Sequence, residues 1–272
     1  MALKIKNSKL KISVIIIAKN EEEKIKDCLE SVVWADEIIL VDNGSTDQTV
    51  RIAKIYKARI VKKTTGVYKD LRNKGLSEAK GEWVLYVDAD ERVTPLLKKE
   101  IEMVMAASEI SAREFSAFAI PRKNIILGRE MKHGGWWPDY VKRLYKKDRL
   151  KGWYGELHEE PDFEGNLGYL INPLIHLKHD KLEEMVEKSN IWSDAEAQLL
   201  YKAKHPKMVW WRFFRIMVTE LWYRLISLRG FLDGPEGIIY AFYQMWYRFM
   251  VYAKLWGIQL QTKNSARSAS SG

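Results

Sequence analysis

Short apolar runs rich in β-branched side chains alternate with segments of helical periodicity over the first 90 residues of the chain. Such runs are typical of strands that are covered on both faces, as in a parallel sheet. The predicted strands are 12–18, 37–42, 58–63 and 83–90, and the predicted helices are 21–33, 49–56 and 69–81. This alternation predicts a doubly wound α/β domain, with a mainly parallel sheet and right-handed crossovers.

The pattern changes after residue 115 and again at Lys181. Residues 115–128 are interpreted as a strand pair, 141–147 as a short strand and 152–163 as a loop. From Lys181 the apolar spacing is helical. The predicted organisation is a catalytic α/β domain over 1–180, a helical, basic and aromatic region over 181–260, and a disordered polar tail over 261–272.

Polar side chains follow three of the predicted strands where each strand ends. These residues are Asn20, Glu21, Asp42, Asn43, Asp88 and Asp90. Because ligands bind at the carboxyl ends of strands in open α/β sheets, we expect them to meet in one crevice. No glycine-rich phosphate loop follows any strand, so a metal ion held by acids is the expected substitute. The alternative is a solvated strand end, with Glu91 paired to Arg92.

Composition places the chain among globular proteins, with 47% hydrophobic and 30% charged residues. Its single cysteine, Cys28, excludes an internal disulfide and fits a reducing compartment. The apolar run after the N-terminal lysines is too short for a signal peptide or a membrane span. We therefore expect a cytoplasmic protein.

The C-terminal part differs chemically from the rest, since residues 201–260 hold nine basic against three acidic side chains and 16 of the 32 aromatic residues. Charges at Arg212, Arg215, Glu220 and Arg224 make a membrane-spanning helix costly here. We interpret these helices as lying in the membrane interface at the inner face of the plasma membrane, with arginines toward anionic headgroups. The alternative is a homo-oligomer interface or a cap on the α/β domain. Nucleic-acid binding is disfavoured, because the basic residues lie in helices rich in Ile, Met and Leu.

Four motifs carry a resemblance to a known family. They are SVIIIAKNEEEKIKDCLESV at 13–32, IILVDNGSTDQT at 38–49, RNKGLSEAKGEWVLYVDADERV at 72–93 and HEE at 158–160. In this order the chain resembles an inverting family 2 glycosyltransferase with the GT-A fold, and most closely the bacterial branch that includes lipopolysaccharide-core glycosyltransferases. The resemblance covers roughly residues 10–180 and continues more loosely into the aromatic C-terminal part.

The resemblance implies a donor site for a nucleotide sugar. Asp90 is then the metal ligand of the D-x-D pair, for Mg²⁺ or Mn²⁺, while Asp88 faces the ribose or reaches the metal through water. Asp42 is matched to the acid that reads the base, and it suits the imide N–H of uracil. Ala18, Asn20 and Glu21 are matched to the loop that contacts base and ribose. Arg72 is matched to a residue beside the donor diphosphate, and its alternative is a surface arginine in a helix.

An inverting displacement needs one general base to deprotonate the acceptor hydroxyl. We favour Glu159 as this base, with Asp139 second. His158 and His176 are candidate further ligands of the metal or diphosphate, and for each the alternative is a structural histidine. Two interpretations of Arg143 remain: it faces a phosphate group, or it lies on the surface of a strand.

The predicted function is the metal-dependent, inverting transfer of a sugar from a nucleotide sugar, with UDP favoured, to a saccharide or lipid-linked acceptor. The setting that the resemblance implies is the synthesis of a cell-envelope glycan resembling the lipopolysaccharide core. The alternative is a non-catalytic GT-A-like module that binds anionic membranes or partner surfaces. The sugar and the acceptor are not determined by the sequence.

Overall fold

A computed structural model describes residues 12–107, 115–155 and 159–270, with side chains as far as Thr262. The chain forms two compact units. The first unit comprises residues 1–123 and 139–176, and the second comprises 124–138 and 177–272.

Twelve strands and seven α-helices make up the described part of the chain. The strands are β1 (Ile12–Ala18), β2 (Glu37–Asp42), β3 (Arg59–Lys62), β4 (Trp83–Asp88), β5 (Glu91–Val93), β6 (Phe115–Ile126), β7 (Arg129–Glu130), β8 (Asp139–Lys146), β9 (Leu150–Tyr154), β10 (Glu160–Phe163), β11 (Asn166–Tyr169) and β12 (Leu174–His179). The helices are α1 (Ile25–Val32), α2 (Thr49–Ile55), α3 (Tyr68–Glu78), α4 (Pro95–Ala107), α5 (Leu182–Lys202), α6 (Trp210–Trp222) and α7 (Gly234–Ser270).

The main sheet has a parallel part and an antiparallel part. Its order is β3-β2-β1-β4-β8-β6-β12-β5, in which the pairs β3–β2, β2–β1 and β1–β4 are parallel. The strand β8 is antiparallel to both β4 and β6. This Rossmann-like core with helices on its faces, followed by a helical C-terminal region, confirms the predicted α/β, GT-A fold class.

Helices cover both faces of the sheet in the first unit. Residues Val14, Ile16 and Leu40 belong to one buried cluster with the apolar side of α1, which explains why the strands read as continuous apolar runs. Ile15 and Val41 belong to the cluster on the opposite face, under α3. Both faces of the sheet are therefore buried, so a binding or catalytic site is expected at the polar ends of the strands.

Two predictions about the middle of the chain are wrong. The segment 115–128, interpreted as a strand pair, contains one long strand, β6, over Phe115–Ile126. Pro121 does not break it, because proline's fixed φ suits an extended chain and its only loss is one donor. Residues 152–163, interpreted as a loop, contain most of the β9–β10 hairpin, in which Trp153 lies opposite Pro161.

The second unit is built around the long helix α7, which packs against both α5 and α6. The hydroxyl of Tyr247 and the guanidinium of Arg248 contact the carboxylate of Glu196 at 2.8 and 2.7 Å. None of the residues of α6 is buried. Over the described residues, no helix combines the length and the hydropathy that crossing a bilayer would need. Most of the predicted tail, 261–272, has no described side chains, and its disorder stays a prediction.

Candidate active site

Three neighbouring parallel strands end side by side. Ala18 is in register with Asp42 on β2, and Ile17 is in register with Asp88 on β4. The carboxylate of Asp42 is 3% exposed and accepts a hydrogen bond from the Ser45 backbone N–H at 2.9 Å. The structure therefore brings Ala18, Asp42 and Asp88 to one edge of the sheet, as predicted.

The loop after β1 is fixed to the loop after β2. Asn20 has a φ of 55°, and its side-chain oxygen accepts a hydrogen bond from the Thr46 backbone N–H at 2.8 Å. The Glu21 backbone N–H donates to the Thr49 hydroxyl at 2.8 Å. Asn20 and Glu21 thus lie beside the end of β2, and their polar groups order the loops around Asp42.

Asp88 ends β4 and is paired with two arginines. Arg143 contacts its carboxylate, and the Arg72 Nη2 lies 3.7 Å from Oδ1. Burial by itself would raise the pKa of Asp88, but the charges of Arg143 and Arg72 outweigh it and hold this pKa well below its ordinary value. Asp88 is therefore a fixed anion at the mouth of the site.

Asp90 lies in the turn after β4, and its carboxylate is 3.4 Å from Nε2 of His176. Burial raises the pKa of Asp90, while the hydrogen bond and charge of His176 lower it, and the net direction is downward. His176 itself is buried on β12, opposite Glu91 on β5. Of the predicted metal ligands, Asp90 and His176 are brought together, whereas His158 lies outside the described residues.

Glu91 has a role that the sequence analysis missed. It is completely buried, and its Oε2 accepts a hydrogen bond from the Asp88 backbone N–H at 3.0 Å. Its other oxygen lies 2.7 Å from Nη2 of Arg143. The suggested pairing of Glu91 with Arg92 is wrong, since the guanidinium of Arg92 donates to backbone carbonyls, that of Glu91 among them. The signal in the sequence was Arg143 itself, a charge on a strand that also carries the buried Leu144 and Tyr145.

Arg72 is a buried residue, so the alternative that it is a surface arginine is wrong. It is 8% exposed, with its guanidinium 4.6 Å from the ring centre of Trp153 and Nε 3.2 Å from Oε1 of Glu159. Its Nη1 has no hydrogen-bond acceptor among the described residues. A buried guanidinium nitrogen that has no hydrogen-bond acceptor lowers the stability of the folded protein. An anionic ligand would supply the acceptor, so this nitrogen suits a site for an anion.

The neighbouring Asn73 attaches α3 to the β9–β10 hairpin. Its side-chain oxygen accepts a hydrogen bond from the backbone N–H of Trp153 at 2.8 Å, and its side-chain amide donates to the backbone carbonyl of Trp153 at 3.0 Å. Gly152, at a φ of 151°, allows this close approach, because a Cβ there would lie 3.0 Å from the Asn73 oxygen. This clamp sets the position of the strand that leads to Glu159.

A cavity of about 460 Å³ adjoins these groups. It is lined by Arg72, Asp88, Arg122, Tyr140, Val141, Lys142, Arg143, Trp153, Glu159, Glu160 and Pro161. Glu159, the favoured base, therefore faces the cavity. Asp139, the second candidate, begins β8, and its Oδ2 accepts from Nε and Nη2 of Arg122 at 3.0 and 2.8 Å.

The charges of the site fit a divalent cation. Carboxylates outnumber arginines here, since five carboxylates (Asp88, Asp90, Glu91, Asp139 and Glu159) lie among three arginines (Arg72, Arg122 and Arg143), and His176 and Lys24 add positive charge near Asp90. Carboxylate oxygens suit Mg²⁺ and Mn²⁺, which bind through one or two carboxylates together with substrate phosphates. Among the described residues no group of three acidic, histidine or cysteine side chains is placed to hold a metal ion by itself. The donor set therefore fits a metal that shares its coordination with phosphate.

Comparison with known proteins identifies the family. Residues 13–159 match the family model described as glycosyl transferase family 2. An uncharacterized glycosyltransferase of Rickettsia typhi is 31% identical over 93% of this chain and 89% of its own length. The lipopolysaccharide core biosynthesis glycosyltransferase LpsC of Rhizobium meliloti is 29% identical over 86% of this chain and 90% of its own length.

Two solved structures are more distant. Glucosyl-3-phosphoglycerate synthase from Mycobacterium tuberculosis, in complex with Mn²⁺, UDP and glucosyl-3-phosphoglycerate, is 17% identical with a TM-score of 0.46, covering 73% of this chain and 82% of its own. Residues 1–349 of Staphylococcus aureus TarS are 17% identical with a TM-score of 0.44, covering 95% and 92%. The match of the family model over more than half of the chain, together with the bacterial relatives, shows that the chain belongs to glycosyl transferase family 2 and is a glycosyltransferase.

Proposed function

We propose that this enzyme transfers a sugar, with inversion, from a UDP-sugar to a saccharide or lipid-linked acceptor in the synthesis of a lipopolysaccharide-core-like glycan. The observation that carries the proposal is Arg72. It is buried and lines the cavity, its Nη2 and Nε lie near Asp88 and Glu159, and its Nη1 has no hydrogen-bond acceptor in the part of the chain that the structure describes. A donor diphosphate would supply the missing acceptor, and it would lie beside the candidate base.

The nucleoside end of the donor is assigned to the ends of β1 and β2. Asp42 offers a buried carboxylate that suits the imide N–H of uracil, which supports UDP. Ala18, Asn20 and Glu21 border this point and are proposed to contact base and ribose. GDP is the comparison for UDP, because guanine also carries a ring N–H that can donate a hydrogen bond to a carboxylate.

The leaving diphosphate gathers negative charge as the bond to the sugar breaks, and this charge must be stabilised. Arg72 would donate from Nη1 to a phosphate oxygen. Asp90 would hold Mg²⁺ or Mn²⁺ together with the diphosphate, with His176 as a candidate second ligand and Asp88 reaching the ion through water, and the ion would supply Lewis-acid stabilisation of the diphosphate when bound. His158 remains a candidate further ligand.

Glu159 is the proposed general base. It would take the proton of the acceptor hydroxyl as that oxygen bonds to the anomeric carbon. The bond from the anomeric carbon to the diphosphate breaks at the same time, and UDP leaves with the electron pair. Arg72 would keep the carboxylate in place during this step through its Nε contact. Asp139 is the second candidate for this role.

The acceptor is proposed to be presented at a membrane surface, at the inner face of the plasma membrane. The similarity to a protein named for lipopolysaccharide core biosynthesis supports an acceptor of that class. The helix α6 carries exposed apolar side chains four residues apart at Trp210, Phe214, Val218 and Trp222. This apolar stripe, with basic residues beside it, suits the interface of an anionic membrane.

Calorimetric titration of UDP and of GDP tests the proposal, in the presence of Mn²⁺ and then of EDTA. We expect UDP to bind with Mn²⁺, and to bind more weakly with EDTA or in the Asp90→Asn variant. Asp148→Asn is the matched control, since this carboxylate is 76% exposed and pairs only loosely with Arg149 at 3.8 Å. If the native chain binds neither nucleotide under any condition, the catalytic proposal is wrong and the alternative of a non-catalytic binding module gains support.

A further inference from the structure

We propose that Arg143 is a positioning residue of the donor site, which sets the orientation of Asp88 and is itself held by a row of charged side chains that ends at Asp139. This inference rests on the function proposed above. It assigns a role to Arg143, Glu91 and Arg122, and gives Asp139 a role other than that of a base.

The guanidinium of Arg143 bridges two carboxylates in the interior. Arg143 is 4% exposed on β8, contacts the Asp88 carboxylate, and lies 2.7 Å from Oε1 of Glu91. Oε2 of Glu91 in turn accepts a hydrogen bond from the backbone N–H of Asp88 at 3.0 Å. The side chain and the backbone of Asp88 are therefore both fixed by the same pair of partners.

The row continues beyond Glu91. Nη1 of Arg122 lies 3.6 Å from Oε1 of Glu91, and its Nη2 lies 2.8 Å from Oδ2 of Asp139. Arg122 and Asp139 are also register partners on β6 and β8. The charges alternate in the order Asp139, Arg122, Glu91, Arg143, Asp88. Because each member is held by the next, a change at Asp139 would reach Asp88 through three intermediates.

Lysine cannot replace Arg143 in this position. A planar guanidinium can donate to two carboxylates at once, whereas an ammonium group is a single point of charge on a flexible stem. Arg143→Lys keeps a positive charge beside the buried Glu91 and the partly exposed Asp88, so we expect the fold to be retained. The variant loses the geometry that holds Asp88, so we expect weaker binding of the donor.

The test compares Arg143→Lys with Arg59→Lys. Arg59 also bridges two carboxylates, Glu37 at 2.9 Å and Glu78 at 2.7 Å, but it lies at the start of β3, away from the cavity. We expect UDP with Mn²⁺ to bind at least tenfold more weakly to Arg143→Lys, and within about twofold of native to Arg59→Lys. Thermal melting should show a larger loss for Arg143→Lys, because its bridge to Glu91 is buried, whereas the side chain of Arg59 is 34% exposed.

A third variant, Asp139→Asn, distinguishes positioning from base catalysis. If Asp139 acts through Arg122, the variant weakens UDP binding severalfold in the absence of any acceptor, and a base would leave that binding unchanged. Native-like UDP binding by Arg143→Lys, or failure of both Arg143→Lys and Arg143→Met to fold, overturns the assignment. If the native chain binds no UDP, the proposed function fails and this inference falls with it; if native and Arg59→Lys bind and Arg143→Lys matches them, only this inference fails.

Discussion

Glu159 and Asp139 differ, at the scale of single residues, in what surrounds each carboxylate. Glu159 lines the cavity and has one guanidinium contact, from Nε of Arg72 at 3.2 Å. One oxygen of Asp139 accepts two N–H groups from Arg122. A base must reach the acceptor hydroxyl, and Glu159 is favoured because it lines the cavity, whereas Asp139 is not among the lining residues.

The first prediction follows from this difference. Glu159→Gln removes the proton acceptor and keeps the shape, so we expect kcat to fall by about 10²–10⁴-fold, the usual size of a general-base contribution. UDP binding should change little. Sugar transfer to acceptor and UDP titration measure the two effects separately.

Asp139→Asn is the comparison for that experiment. We expect a smaller loss of kcat, accompanied by weaker UDP binding. A larger loss of kcat in Asp139→Asn than in Glu159→Gln, with UDP binding intact in both, would exchange the two assignments.

At the scale of elements, the contact of α3 with the sheet decides where Arg72 and Asn73 lie. Gly75 faces the sheet so closely that a Cβ there would be 2.5 Å from Cγ2 of Ile15 and 3.2 Å from Cγ2 of Val41. The helix therefore approaches β1 and β2 more closely than any other residue would allow. Glycine has a weak helix propensity, but at position 75 it permits this close packing of α3 on the sheet.

The second prediction is that Gly75→Ala destabilises the protein by about 1–3 kcal/mol, the cost of inserting a methyl group into a packed core. Gly257→Ala in α7 is the matched control, since a Cβ there meets nothing within 4 Å. Alanine is the better helix former, so the control should gain up to about 1 kcal/mol. Urea unfolding measures both, and a Gly75→Ala variant as stable as native would contradict the packing argument.

At the scale of the whole molecule, the charge is unevenly placed, and the C-terminal helices carry apolar side chains toward solvent. Trp210 is 82% exposed and Phe214 is 69% exposed. The guanidinium groups of Arg212 and Arg215 lie 5.2 and 5.6 Å from the ring centre of Trp211. Aromatic rings with arginines beside them match the boundary between lipid tails and anionic headgroups.

The third prediction is that the protein sediments with vesicles of phosphatidylglycerol and not with vesicles of phosphatidylcholine alone. Replacing Trp210 and Phe214 together by serine should lower vesicle binding at least tenfold, and raising the salt to about 0.5 M should weaken binding by the native protein, because salt screens charges at the surface. Ile171→Ser is the control, as this side chain is 81% exposed in the first unit.

The homo-oligomer is the other outcome of that experiment. If the native chain ignores both kinds of vesicle and sediments as a dimer that the double variant abolishes, the apolar stripe of α6 is a protein interface. Vesicle binding that survives the double variant would also count against the stripe as the membrane contact.

The sequence by itself determined the parallel half of the sheet and named most of the residues of the proposed donor site. Unbroken apolar strands must be covered on both faces, and their carboxyl ends then carry Asp42 and Asp88 to one edge whatever the details of packing. The D-x-D motif and Arg72 stand within single continuous segments, so local pattern and family resemblance were enough to find them. The β9–β10 hairpin was missed because glycine, proline and charged residues there resemble a loop.

Only the tertiary structure decided how the charges are paired. Arg143 meets Asp88 and Glu91 across 55 and 52 positions of the chain. No periodicity links residues so far apart, because their contact depends on strand order, with β8 placed antiparallel beside β4. The same holds for Arg72 and Glu159, which are separated by 87 positions. A charged residue can be assigned to a strand or helix from local pattern, but which opposite charge it meets depends on how those elements pack together.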